Sequence, residues 1–101
     1  MNNNLVGIWK TDSKDSETWQ NYGNVTMEFK LDGQLIYTII EEDKEQKIIL
    51  NYEVQGTSLI TDQPSFPQKQ ITEFVLTGHI LELIFDGIKS KFIKVEWNPH
   101  P

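Results

Sequence analysis

The segment Gly7-Ile8-Trp9 stands in the first apolar stretch of this 101-residue chain, residues 5–11. Turn residues then divide the sequence, almost to its end, into short segments in which apolar and polar side chains alternate. Val25, Met27 and Phe29 show this alternation clearly, with Thr26 and Glu28 between them. The sequence therefore predicts a succession of half-buried strands joined by turns.

Composition also favours a sheet. The chain contains 12 Ile, 5 Val and 8 Thr but no Ala and no Arg, so β-branched residues are abundant and the best helix former is missing. A chain of this length can bury one hydrophobic core. We therefore expect a single domain over residues 1–101, with its core in 5–96 and a flexible tail at 97–101.

Eight strands can be placed along the chain, and each is joined to the next by a turn. Their segments are residues 5–11, 25–30, the stretch after Gly33, and residues 48–55, 59–61, 71–77, 80–85 and 88–96. Eight antiparallel strands are enough to close into a small barrel. The predicted fold is thus an all-β, eight-stranded up-and-down meander that closes into a barrel, with residues 12–23 as its longest connection.

The turn at Asp32-Gly33 decides which side chains of the third strand face inward. A two-residue loop would direct Ile36, Thr38 and Ile40 into the barrel, whereas a three-residue loop with Gly33 in the left-handed region would align Leu35, Tyr37 and Ile39 with Phe29. We favour the three-residue loop because it buries the larger set of side chains.

The Gly7-x-Trp9 segment, followed by these hairpins in this order, resembles small bacterial lipocalin-like domains. The hairpin segments that carry the resemblance are residues 27–33, 51–59 and 76–83, and the likeness spans residues 5–96. The resemblance implies that the Trp9 ring lies across the closed end of the barrel and that Gly7 lets the backbone pass close to it. It also implies that Lys94 of the last strand lies on Trp9, where lipocalins typically have Arg.

The resemblance further implies binding of a small, mostly apolar molecule inside the barrel. Aromatic residues at a barrel mouth often contact such a ligand. The predicted contacts are two inward residues, Tyr37 and Tyr52, and three residues of the longest loops, Trp19, Tyr22 and Phe66. The alternative is that the loop aromatics close a barrel that is already filled by its own side chains.

Several function classes find no support in the sequence. The net charge of −6 and the absence of Arg disfavour nucleic acid, and no apolar run reaches the ~20 residues of a membrane span. No serine lies in a Gly-x-Ser-x-Gly segment, and His79 and His100 have no ligand-forming neighbours. We therefore predict a non-enzymatic protein without a cofactor or metal. We expect it in the cytoplasm, or secreted or periplasmic if a leader has been removed.

The last three strands suggest a second function. Their outward positions are apolar, and a contiguous apolar surface usually has a protein partner. The residues concerned are Ile71, Val75, Ile80, Ile84, Ile93 and Val95. The chain would then act as a protein-interaction or inhibitor module through this outer face, and we expect a homodimer unless the tail around Trp97 covers it.

Overall fold

The computed structural model describes residues 5–64 and 68–95. In this part of the chain the elements are β1 (Gly7–Thr11), α1 (Ser16–Tyr22), β2 (Val25–Phe29), β3 (Gln34–Glu41), β4 (Lys44–Gln55), β5 (Ser58–Asp62), β6 (Gln70–Thr77), β7 (Ile80–Phe85) and β8 (Ile88–Lys94). The strands pair antiparallel in sequence order, and β8 pairs with β1, so the sheet is a closed barrel. The predicted all-β, eight-stranded up-and-down barrel is confirmed.

Lys30 and Gln34 are hydrogen-bonded at the base of the turn between β2 and β3, so the loop itself has three residues, 31–33, as predicted. Phe29 pairs with Leu35, and the Lys30 amide donates a 2.8 Å hydrogen bond to the Gln34 carbonyl at the base of the loop. Gly33 adopts a φ of +92°, a conformation that side chains with a Cβ rarely enter. Leu35, Tyr37 and Ile39 consequently share the inner face with Phe29.

Helix α1 was not predicted, since composition favoured sheet throughout and residues 12–23 were expected to form only a connection. Two side chains four residues apart, Thr18 and Tyr22, face the barrel from one side of the helix. Thr18 is fully buried, and the Tyr22 ring meets the Phe92 ring edge-on at 5.2 Å between centroids. Gly23 ends the helix with a φ of +68°. Packing on the barrel, not intrinsic propensity, therefore stabilises this short helix.

The core fills the barrel from its closed end. Trp9, Phe29 and Phe92 are among its largest fully buried side chains, and the Trp9 indole donates a 2.9 Å hydrogen bond to the Leu5 carbonyl. The remaining buried apolar residues are Leu5, Val25, Met27, Leu35, Tyr52, Leu59, Leu81 and Leu83. The opposite end, where α1 lies, is the mouth of the barrel.

Helix α1 has seven residues, far short of a membrane crossing, and no helix in residues 5–64 and 68–95 is long and apolar enough for one.

Candidate functional site

A cavity of about 270 Å³ occupies the mouth half of the barrel. Strand pairing explains its position, because inward side chains from β2 to β7 surround it while the large rings of Trp9 and Phe29 fill the other half. Its apolar lining comes from Met27, Leu35, Ile48, Leu50, Leu59 and Leu83. Phe85 also lines the cavity and is 45 % exposed, so the cavity reaches solvent beside the turn between β7 and β8.

One side of the cavity is polar. Four residues on and beside β5 and β6, which we call the polar wall, contribute to the lining: Thr61, Gln63, Gln70 and Thr72. Thr61 and Gln70 are direct cross-strand partners, and Thr72 pairs with Leu59 one step deeper in the barrel. Residues paired in this way lie about 5 Å apart at Cβ, so the Thr61 hydroxyl and the Gln70 amide are neighbours in the lining.

Two tyrosines complete the lining. Tyr37 lies on β3 and Tyr22 reaches over the cavity from α1. Burial, with a smaller contribution from the nearby Tyr22, raises the pKa of Tyr37 to about 12. Like any tyrosine, Tyr37 is protonated at neutral pH, and its phenol offers the cavity a neutral hydrogen-bonding group.

The closed end of the barrel joins the first strand to the last. Trp9 and Lys94 are cross-strand partners, and the Lys94 Nζ lies 5.7 Å from the centroid of the Trp9 ring. Gly7 has a φ of +137°, and a Cβ on it would lie 3.1 Å from the Lys94 Cε. A glycine at this position thus leaves room for the lysine stem beside the indole.

The residues predicted to contact a ligand separate into three groups. Tyr22 and Tyr37 line the cavity. Trp19 and Tyr52 do not belong to the cavity lining. Trp19 is 43 % exposed on α1. Tyr52 is buried, and its hydroxyl donates a 2.7 Å hydrogen bond to the Lys30 carbonyl. Phe66 lies outside the described residues. Tyr52 faces inward as predicted, but at the level of the core, where it packs edge-on against Phe29.

The outer face of the last three strands is partly exposed. The side chains of Ile71 and Val75 are 63 % and 44 % exposed, and those of Ile80 and Val95 are 39 % and 37 % exposed. Ile84 and Ile93 on the same face are half-buried, so they contribute less exposed surface. Four of the six residues predicted for an interface are therefore openly exposed.

The acidic side chains on strands β6 and β7 are not in the cavity. Glu73 is exposed, and its carboxylate accepts hydrogen bonds from the hydroxyls of Ser58 and Thr57 at 2.6 and 2.9 Å. The hydrogen bond from Ser58, and to a smaller extent that from Thr57, lowers the pKa of Glu73. The ionised carboxylate of Glu73 thus connects β6 to the start of β5.

We did not predict the polar wall from the sequence. A signal for it exists, because Thr61 and Gln63 continue the inward alternation that begins at Leu59, and Gln70 and Thr72 precede inward Phe74 in the same phase. Polar residues in inward phase near the end of a strand indicate a solvated or ligand-bearing interior in place of a packed one.

Comparison of the sequence with protein-family models and with curated proteins gave no match to either.

Proposed function

We propose that this chain is a lipocalin-like, non-enzymatic binding protein that takes up a small, mostly apolar molecule in the mouth half of its barrel. The observation that carries the proposal is the cavity of about 270 Å³ between the filled closed end and α1. Barrel mouths are among the places where small-molecule sites occur, and such sites combine a mainly apolar lining with a few placed polar groups.

The size of the cavity limits the ligand. Ligand pockets typically begin at about 300 Å³, and benzene enters an engineered apolar cavity of about 150 Å³. A volume of about 270 Å³ is therefore appropriate for a molecule of one or two rings, or a short branched chain. Long-chain lipids would extend beyond the mouth and lose most of the apolar contact that favours binding.

The experiment is titration with toluene and with indole, followed by the melting temperature, because a ligand that binds only the folded state raises it. We expect a concentration-dependent increase with the unmodified protein. Leu50→Phe places a larger ring in the cavity and should abolish the increase. Ile49→Phe is the matched control, because Ile49 is the adjacent residue on β4 but is 53 % exposed on the outer face.

Unchanged melting temperatures with both compounds would refute the proposal. An increase that is insensitive to Leu50→Phe and lost in Ile49→Phe would also refute it, because binding would then be on the outer surface.

A second candidate function is a protein-interaction or inhibitor module that acts through the outer face of β6 to β8. The open exposure of Ile71 favours it, because an isoleucine that is 63 % exposed contributes nothing to the barrel core. The partner we propose is a second copy of the chain, since one apolar patch on a two-fold axis meets itself.

A further inference from the structure

We infer that the cavity selects an uncharged ligand that carries one amide- or hydroxyl-type group, with that group against the polar wall and the apolar remainder against β2, β3 and β4. The inference rests on the proposed binding function and names the chemical class of its ligand.

Among the described residues, the cavity is lined by no Asp, Glu, Lys or His. Lys69 is adjacent in sequence to Gln70, but it lines a separate depression together with Glu53 and Asp62. An ionised group that leaves water without a countercharge incurs a large desolvation cost. A carboxylate or an ammonium ligand would therefore bind poorly, and the net charge of −6 disfavours an anion further.

The hydrogen-bonding groups of β5 and β6 lie on one side of the cavity. Thr61 and Gln70 stand side by side, and hydroxyl and primary amide groups both donate and accept hydrogen bonds. In the order of the closed barrel, β5 and β6 lie across the interior from β1 and β2, and β2 contributes the apolar Met27. A ligand with a polar and an apolar end can consequently place its polar end on the polar wall and its apolar end against Met27, Leu35 and Leu50.

The Tyr37 phenol is an uncharged group in the lining. Like any tyrosine, Tyr37 is protonated at neutral pH, and burial raises its pKa to about 12, so the β3 side of the lining also carries no charge at neutral pH. The phenol oxygen can donate to a ligand oxygen or accept from a ligand N–H. The side chains that surround the cavity thus match a neutral amide, carbonyl or alcohol.

The test compares four compounds of similar size that differ in one group: benzamide, toluene, benzoate and benzylammonium, all at pH 7. We expect benzamide to bind the tightest in calorimetric titration and to exceed benzoate and benzylammonium by more than about tenfold, because both ions lack a countercharge in the cavity. Benzamide should also exceed toluene, because toluene leaves the polar wall without a partner.

Two isosteric variants locate the polar group of the ligand. Thr61→Val and Thr72→Val should each weaken benzamide about fivefold, the effect of one hydrogen bond, and should leave toluene within about twofold. The matched control is Thr38→Val, because Thr38 faces outward on β3 and is absent from the lining. Thr72 is buried, so Thr61→Val alone is decisive if Thr72→Val impairs folding.

The outcomes distinguish this inference from the proposed function. Binding of toluene as tight as that of benzamide, or tightest binding of either ion, would overturn the inference and leave the binding function standing. An equal loss of benzamide and toluene affinity in Thr61→Val would overturn it as well. Failure of all four compounds to bind would overturn both.

Discussion

The Lys94 Nζ lies 5.7 Å from the centre of the Trp9 ring, and the two residues are paired directly across β8 and β1. This pair lies where the sheet closes on itself. The Lys94 side chain lies beside Trp9, which fills the closed end of the barrel, and the same contact joins the first strand to the last. Gly7 leaves the space that the lysine stem occupies. The closed end is therefore one structural unit, and the cavity is left to the other half of the barrel.

Trp9→Ala should lower the free energy of unfolding by about 3–5 kcal/mol, because it removes a fully buried large aromatic ring and leaves a cavity. Denaturant unfolding measures the effect. Trp19→Ala is the matched control, since Trp19 is 43 % exposed, and we expect it to cost less than about 1 kcal/mol. Equal stability losses in the two variants would contradict the assignment of Trp9 as the residue that fills the closed end of the barrel.

Thr18→Val should loosen α1 from the barrel. The Thr18 hydroxyl accepts a 2.8 Å hydrogen bond from the Lys91 amide, and valine has the same shape without the acceptor. We expect a loss of about 1–2 kcal/mol in the free energy of unfolding and faster hydrogen exchange at the Lys91 amide. Thr38→Val, on the outer face, should change neither by much. Unaltered Lys91 exchange in Thr18→Val would show that the helix is held by other contacts.

Stability should fall as the pH rises from about 10 to about 12. The pKa of Tyr37 is raised from its usual 10.0 to about 12, so in this window the unfolded chain loses the phenol proton while the folded chain keeps it. The folded state then binds more protons, and the contribution of Tyr37, fully present below pH 10, is lost as the pH approaches 12.

Thermal unfolding at several pH values measures this dependence, and Tyr37→Phe should flatten it. Tyrosinate absorbance of the folded protein provides a second measurement, by difference between the parent and Tyr37→Phe. A Tyr37 phenol that titrates near pH 10 would contradict the burial of this side chain beside the cavity.

Self-association should occur through the outer face of β6 to β8. Burial of about 250 Å² of apolar surface on each partner, at about 25 cal/mol per Å², gives roughly 12 kcal/mol, and a cost of association of roughly 4–8 kcal/mol leaves a net gain of roughly 4–8 kcal/mol. We therefore expect a weak homodimer at micromolar to millimolar concentration. Ile71→Lys should abolish it in sedimentation experiments, whereas Ile49→Lys, on β4, should not. A parent protein that is monomeric at millimolar concentration would contradict this interface.

The sequence predicted the barrel because the features that determine each strand and turn lie in short segments of the chain. The alternation of Val25, Met27 and Phe29 and the left-handed Gly33 determine the register of β2 and β3 without reference to the rest of the chain. The same alternation predicted that Tyr52 faces inward. It did not predict that Tyr52 lies in the core and Leu50 beside the cavity, because height along the barrel depends on how all eight strands are staggered.

Helix α1 could not be predicted in this way because its stabilising contacts are distant in sequence. Thr18 and Lys91 are 73 residues apart, and Tyr22 packs on Phe92. Neither contact leaves a local pattern in residues 16–22 beyond the four-residue spacing of Thr18 and Tyr22. The cavity likewise depends on side-chain volumes that sum over six strands and the helix, although the inward phase of Thr61 and Gln70 indicates its polar wall.

Intermolecular nuclear Overhauser effects between toluene and the protein would show whether the mouth half of the barrel is a ligand site. Toluene protons that contact the cavity lie within a few ångströms of inward side chains only. We expect cross-peaks from the toluene ring to Tyr37, Leu50 and Leu83, all of which line the cavity. Cross-peaks confined to outward residues such as Ile49 and Ile71, or no cross-peaks at millimolar toluene, would contradict binding in the barrel mouth.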